Sequence, residues 1–184
     1  MGKLEDKFRK GDKRAFDELY GMYSQAMYAV CLRYAKTQDA AADIMQDAFI
    51  KIYKNRKKYD PKYPIAAWIK RIVINEAINH YKAELKFVPA KDEYFEEPES
   101  IQTNVDGEEL RRMLKLALNE ISLGCRTIFN LYTFDNLTHK EIAQHLGITE
   151  STSKTQYMKA KKLIQAFLNE KGITRSQFVH GERV

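Results

Sequence analysis

Cations and small polar side chains recur at helical spacing near the far end of this chain. Ser151, Lys154, Thr155, Met158, Lys159 and Lys162 form one stripe of the segment 150–170. Lys can meet guanine acceptors or phosphate, Thr either base edge, and Met a thymine methyl. A solvated charged face normally mixes in acids, yet none stands between Ser151 and Glu170. A second set lies earlier. Arg71, Asn75, Asn79 and Lys82, at i, i+4, i+8 and i+11, make a polar stripe opposite Ile69 and Val73. Asn amides read base edges as donor and as acceptor. Ahead of that stripe come Lys51, Lys54, Arg56, Lys57 and Lys58, interleaved with Tyr53 and Tyr59 and followed by Tyr63 and Trp68. Bases interleaved with aromatics suit unpaired DNA: the cations hold the backbone while rings stack on exposed bases. The plainer alternatives are a solvated basic face and a Trp68 packed in the core.

The elements that position these residues read as helices. Gly and Pro number 8 and 4 in 184 residues, few for a fold rich in turns. Phe16, Leu19, Tyr20, Tyr23, Met27, Val30, Cys31 and Tyr34 keep helical spacing, as do Ile44, Met45, Ala48, Phe49, Ile52 and Tyr53. Asp39 suits the second helix as its cap and Asp43 its first turn. The sequence Asp60-Pro61-Lys62-Tyr63-Pro64 reads as a loop, and a third helix covers 65–86. Later, Leu110, Met113, Leu114, Ala117 and Leu118 mark one helix and Ile128, Phe129, Leu131, Tyr132 and Phe134 the next. Thr138-His139-Lys140-Glu141 is a capping box, with Leu137 and Ile142 as its staple. Gly147 ends that short helix, and another starts at Thr149 or Glu150.

Charge divides the chain further. Residues 84–109 hold nine acids against two bases, while the whole chain carries a net +6. Two basic helical lobes are therefore joined by an acidic linker containing Pro89 and Pro98. The expected fold is all-α: a helical domain over 1–86, a flexible linker over 87–105, a second helical domain over 106–170, and a tail over 171–184. The longest apolar run, 26–32, falls well short of the ~20 residues of a membrane helix. The charged first fourteen residues carry no secretory signal, so a cytoplasmic protein without membrane insertion is expected. Cys31 and Cys125 read as buried free thiols. Two cysteines and four histidines give no zinc spacing. With no nucleophile–base pair and no Gly-rich phosphate loop, neither an enzyme nor a bound cofactor or metal is expected.

Ala143, Gly147 and Ile148 sharpen the second lobe. A small residue, a glycine four later and an apolar residue after it fit a helix-turn-helix, although a helical hairpin in a bundle shows the same pattern. The acid-free face that follows favours major-groove binding.

In combination these pieces resemble a bacterial RNA polymerase sigma factor of the extracytoplasmic-function (ECF) class. The resemblance rests on Phe16-x-x-Leu19-Tyr20-x-x-Tyr23, Ala42-Asp43-Ile44-x-Gln46-Asp47-x-Phe49 and Trp68-Ile69-x-x-Ile72-x-x-Asn75 in the first lobe. In the second it rests on Arg126-x-x-Phe129, His139-Lys140-Glu141-Ile142-Ala143 and Leu146-Gly147-Ile148-x-x-x-Thr152-x-Lys154. The stretch Thr152-Ser153-Lys154-Thr155-Gln156 looks most like versions found in Bacteroidetes.

The resemblance implies a protein that binds core RNA polymerase and directs it to promoters. The helix carrying Ser151, Thr152, Lys154, Thr155, Met158, Lys159 and Lys162 would enter the major groove of the −35 element. Lys54, Lys57, Tyr59, Lys62, Tyr63, Trp68, Arg71, Asn75, Asn79 and Lys82 would engage and open the −10 element, holding an extruded base at the cost of its stacking. Asp43, Gln46, Asp47 and Phe49 would dock on the polymerase's largest subunit, where acids repel DNA and pair with basic residues. An anti-sigma protein is the further partner that the family implies. The linker would thread toward the polymerase cleft, and the ~26-residue acidic stretch reaches at most ~85 Å against ~70 Å for two duplex turns. Asn79 and Lys82 stand where the family usually has Asp and Arg, Ser153 where it often has a branched aliphatic, and Gln156 where it often has a basic residue. The alternative is a helix-turn-helix regulator that binds DNA as a dimer without polymerase.

Overall fold

The computed structural model describes residues 3–85 and 105–171, with side chains for 4–84 and 111–171. Among the described residues there are helices and turns but no strand, and the chain divides into two compact units, one within 1–90 and one within 91–184. The expected linker lies outside the described residues except for Val105, and the expected tail except for Lys171.

The first unit is built from α1 (Lys3–Lys10), α2 (Lys13–Leu32), α3 (Gln38–Lys54), a single 3₁₀ turn (Arg56–Lys58) and α4 (Ile65–Leu85). Helix α1 was not anticipated, because its charged sequence carries only one large buried anchor. That anchor, Phe8, lies 6.2 Å from the Phe16 ring and 6.3 Å from Trp68. Glu5 and Asp6 in the first turn, with Lys7, Arg9 and Lys10 in the last, complement the helix dipole. Asp12 then caps α2, accepting from the Ala15 amide at 3.1 Å.

Helix α3 begins two residues earlier than a cap at Asp39 would place it. The cap is Thr37, whose hydroxyl accepts from the Ala40 amide at 2.9 Å. Asp39 moves into the first turn, where it still favours the dipole, and Asp43 falls beyond it. The inward faces of α2, α3 and α4 meet through Leu19, Val30, Ile44, Ala48, Ile52, Ile69, Val73 and Ile78, all buried. The Asp60 carboxylate closes the loop before α4 by accepting from the Lys62 amide at 3.0 Å.

The second unit comprises α5 (Val105–Asn119), α6 (Leu123–Thr133), α7 (His139–Leu146) and α8 (Glu150–Glu170). Ala117, Leu118, Ile121, Cys125, Phe129, Ala160, Ile164 and Leu168 form its core. The capping box at Thr138 and Glu141 is present in both directions. Gly147 ends α7 at φ +71°, and its amide donates to the Ala143 carbonyl at 2.9 Å. No atom would crowd an added Cβ there, so Gly147→Ala costs only the left-handed backbone strain. The expected loss is ~1–2 kcal/mol, read as a lower denaturation midpoint.

Candidate nucleic-acid and polymerase interfaces

Thr149 starts α8, its hydroxyl accepting from the Thr152 amide at 3.0 Å. With that start fixed, the helical period sorts the following side chains. Ser153, Ala160, Ile164 and Leu168 turn inward and are buried, while Tyr157 and Phe167 are half-buried. Ser151, Thr152, Lys154, Thr155, Met158, Lys159 and Lys162 are all exposed, Met158 by 63%. They form a continuous cationic and polar surface. Lys154 Nζ pairs with Glu150 Oε1 at 2.6 Å across one turn and holds that carboxyl below its ordinary pKa. Gln156 is drawn toward the core, its Oε1 2.7 Å from Cys125 Sγ.

A polar contact missed by the sequence reading joins α7 to α8. His139 Nδ1 lies 3.0 Å from Ser153 Oγ, and the imidazole stacks on Tyr132 at 4.4 Å. Burial and then the Lys154 charge push the His139 pKa down, opposed by Glu150. A neutral ring can accept from the Ser153 hydroxyl. The residue types alone suggested no such pairing across 14 positions.

In the first unit, Lys54, Lys57, Lys62, Arg71 and Asn79 are exposed, and Tyr63 stands 66% open. Trp68, Asn75 and Lys82 are half-buried. Tyr59 departs from expectation as a stacking ring. It is only 3% exposed, its hydroxyl donates to the Tyr63 carbonyl at 2.8 Å, and its ring lies 5.5 Å from Trp68. Burial raises its pKa. Tyr59 therefore supports the loop from beneath and leaves Tyr63 to face solvent. Trp68 lies between the two alternatives, packed on Phe8 and Tyr59 yet partly open.

Beneath the α4 stripe sits a second unforeseen pair. Lys51 Nζ bonds Glu76 Oε2 at 2.5 Å, tying α3 to α4, and Asn79 Nδ2 lies 3.4 Å from Glu76 Oε1. Glu76 is almost fully buried on an otherwise apolar side. The sequence signal for it was an acid at an inward position of α4. Arg56, from the basic run, lies over the Tyr53 ring at 4.5 Å and donates to the Tyr53 carbonyl at 2.9 Å.

Asp43, Gln46 and Asp47 line the outer face of α3 and are exposed. Phe49 is not on that surface. It is 4% exposed, with its ring 4.7 Å from Tyr20 and 6.4 Å from Phe16. The reason is helical phase, since Phe49 falls with Met45 and Ile52 on the side that packs inward. Tyr20 and Ile50 are exposed and border an open groove of about 860 Å³ between α2 and α3, which Phe49 lines from below. Neither was picked out as a docking residue from the sequence.

Among the described residues no cluster of His, Cys, Asp and Glu has the geometry to hold a metal. No described helix is long and apolar enough to cross a membrane. Cys31 and Cys125 are buried and unpaired with each other, and burial pushes the Cys31 thiol up to about 12.

Comparison with known proteins gives two family matches: Sigma-70 region 2 over residues 19–86, and Sigma-70, region 4, over residues 111–164. Together they cover about two thirds of the 184 residues. The RNA polymerase sigma-H factor of Pseudomonas aeruginosa is 27% identical over 177 residues, spanning 90% of this chain and 92% of its own length. The ECF RNA polymerase sigma-E factor of Escherichia coli K12 is 26% identical over 176 residues, spanning 88% and 90%. Among solved structures, the sigma factor RpoE of Bartonella quintana, determined with the anti-sigma factor NepR, matches at a TM-score of 0.55 and 22% identity. That match covers 84% of this chain and 96% of the other, and it bears on the fold alone.

Proposed function

The chain belongs to the sigma-70 family of transcription initiation factors, and from that premise we propose which of its surfaces meet promoter and polymerase. It is an ECF sigma factor: it binds core RNA polymerase and directs promoter-specific initiation at −35 and −10 elements. Its two working domains are residues 1–86 and 106–170, joined by the acidic linker 87–105. The exposed face of α8, from Ser151 to Lys162, enters the major groove of the −35 element. Lys54, Lys57, Lys62, Tyr63, Trp68, Arg71, Asn75, Asn79 and Lys82 engage the −10 element, and Tyr59 holds the loop under them. Asp43, Gln46 and Asp47 dock on the polymerase, with Phe49 acting from below.

The observation that carries this reading is the exposed, acid-free run of Ser151, Thr152, Lys154, Thr155, Met158, Lys159 and Lys162 on a helix entered through a capped, glycine-closed turn. Such a helix is built to follow a groove lined with phosphates and acceptor edges.

An anti-sigma protein belongs to the same reading. The Bartonella quintana RpoE was solved with its anti-sigma factor NepR, and a partner of that kind would have to cover these exposed surfaces to silence the protein. In this reading the factor works in the bacterial cytoplasm, its chemistry left to the polymerase, and its Thr152–Gln156 stretch resembles the versions found in Bacteroidetes.

The test is co-elution with core polymerase. The full-length protein is expected to shift into the polymerase peak on size exclusion and to bring a promoter fragment with it. A protein that binds the fragment but never enters the polymerase peak would support the dimeric regulator instead.

A further inference from the structure

Three helices of the second unit converge on one imidazole. His139 opens α7, its ring stacks on Tyr132 of α6 at an interplanar angle of 15°, and it meets Tyr157 of α8 edge-on at 5.5 Å. Its Nδ1 is 3.0 Å from the hydroxyl of Ser153, a residue with 0% exposure. A buried hydroxyl deprived of its partner is costly, so this bond favours one rotational setting of α8 over its neighbours. Ser153 lies between Thr152 and Lys154, both exposed. Successive helix positions are about 100° apart, so holding Ser153 inward fixes the directions in which its two neighbours point.

We propose that His139 is a positioning residue for promoter recognition: by holding the Ser153 hydroxyl it sets the angle at which Thr152, Lys154 and Thr155 meet the major groove. The inference rests on the reading of α8 as the −35 helix. Its mechanism is distinct from a DNA contact, because the imidazole faces Tyr132, Tyr157 and Ser153 and acts through them. Burial and then the Lys154 charge, opposed by Glu150, lower the pKa of the ring and so favour its neutral form, in which one ring nitrogen can accept.

The experiment uses the full-length protein and two labelled duplexes: one enriched by the wild type from a random pool, and one unselected. His139→Phe keeps the stack on Tyr132 and removes the ring nitrogen. Ser153→Ala removes the hydroxyl. Each is expected to lower the preference for the selected duplex about three- to tenfold, as loss of one hydrogen bond does. Affinity for the unselected duplex and the salt slope stay as in the wild type. The double variant loses no more than either single one, because both remove the same bond. His139→Asn, whose amide can reach the hydroxyl, recovers most of the preference. An unchanged preference in both single variants overturns the proposal, as does a double-variant loss equal to the sum of the singles. Equal loss on both duplexes with a fallen melting temperature also overturns it, marking a purely structural role. A Lys154→Ala/Lys159→Ala control separates the premises. If that variant binds the selected duplex like the wild type, the reading of α8 falls and takes the proposal with it. If it binds poorly while the His139 and Ser153 variants keep full preference, the proposal alone falls.

Discussion

Replacing Lys154 and Lys159 together with alanine is expected to weaken promoter-duplex binding roughly thirtyfold at 0.15 M salt and to flatten the log–log salt slope by about two. Each Lys that neutralises a phosphate releases about one condensed counterion, and two such contacts account for both numbers. Both side chains are exposed on α8, and neither supports the core. The variant should therefore melt with the wild type. Lys154 is already paired with Glu150, but an exposed i, i+4 pair contributes only a few tenths of a kcal/mol, so exchanging Glu150 for a phosphate costs little. Fluorescence anisotropy across a salt series reads the effect. An unchanged slope would move the backbone contacts off α8.

The largest loss of stability is expected from Phe49→Ala. The side chain is buried among Phe16, Tyr20 and the apolar side of α3. Removing a buried phenyl ring costs about 3–5 kcal/mol through lost transfer energy and the cavity left behind. In a unit of this size that lowers the melting temperature by more than ~10 °C. Polymerase binding should fall with it, for lack of a folded docking face. Asp43→Asn with Asp47→Asn should do the reverse: both carboxylates are exposed, so melting stays near wild type while polymerase affinity drops severalfold. Calorimetry beside a polymerase pull-down distinguishes the two routes. A Phe49→Ala protein that melts normally would refute its assignment to the core. A carboxamide pair that binds polymerase like the wild type would remove α3 from the interface.

The contrast between these two variants shows what was legible in the sequence. Thr138, Glu141, Gly147 and Thr149 act within one or two turns of themselves, and the turn before α8 follows from them directly. The exposed face of α8 is a matter of helical period, also local. Phe49 and Tyr59 are buried where the motifs suggest exposed contacts, because a motif names a residue without saying which way it faces. Their direction depends on packing from other helices, against Tyr20 and Phe16 in one case and Trp68 in the other. Thr37 and Asp39 are both sound caps two residues apart, and local chemistry does not choose between them. Helix α1 hid behind its charges, held by Phe8 docking on partners at Phe16 and Trp68. The Lys51–Glu76 and His139–Ser153 pairs span 25 and 14 positions. Only the fold brings them together.

Run-off transcription tests the central claim most directly. Purified core polymerase would be assayed with and without the full-length protein on a library of promoter fragments. The account predicts discrete transcripts, absent from core enzyme alone, from fragments sharing two sequence blocks at one fixed spacing, and their loss with Lys154→Ala/Lys159→Ala. Core enzyme that stays silent on every fragment, while the protein by itself binds a palindromic duplex as a dimer, would contradict it.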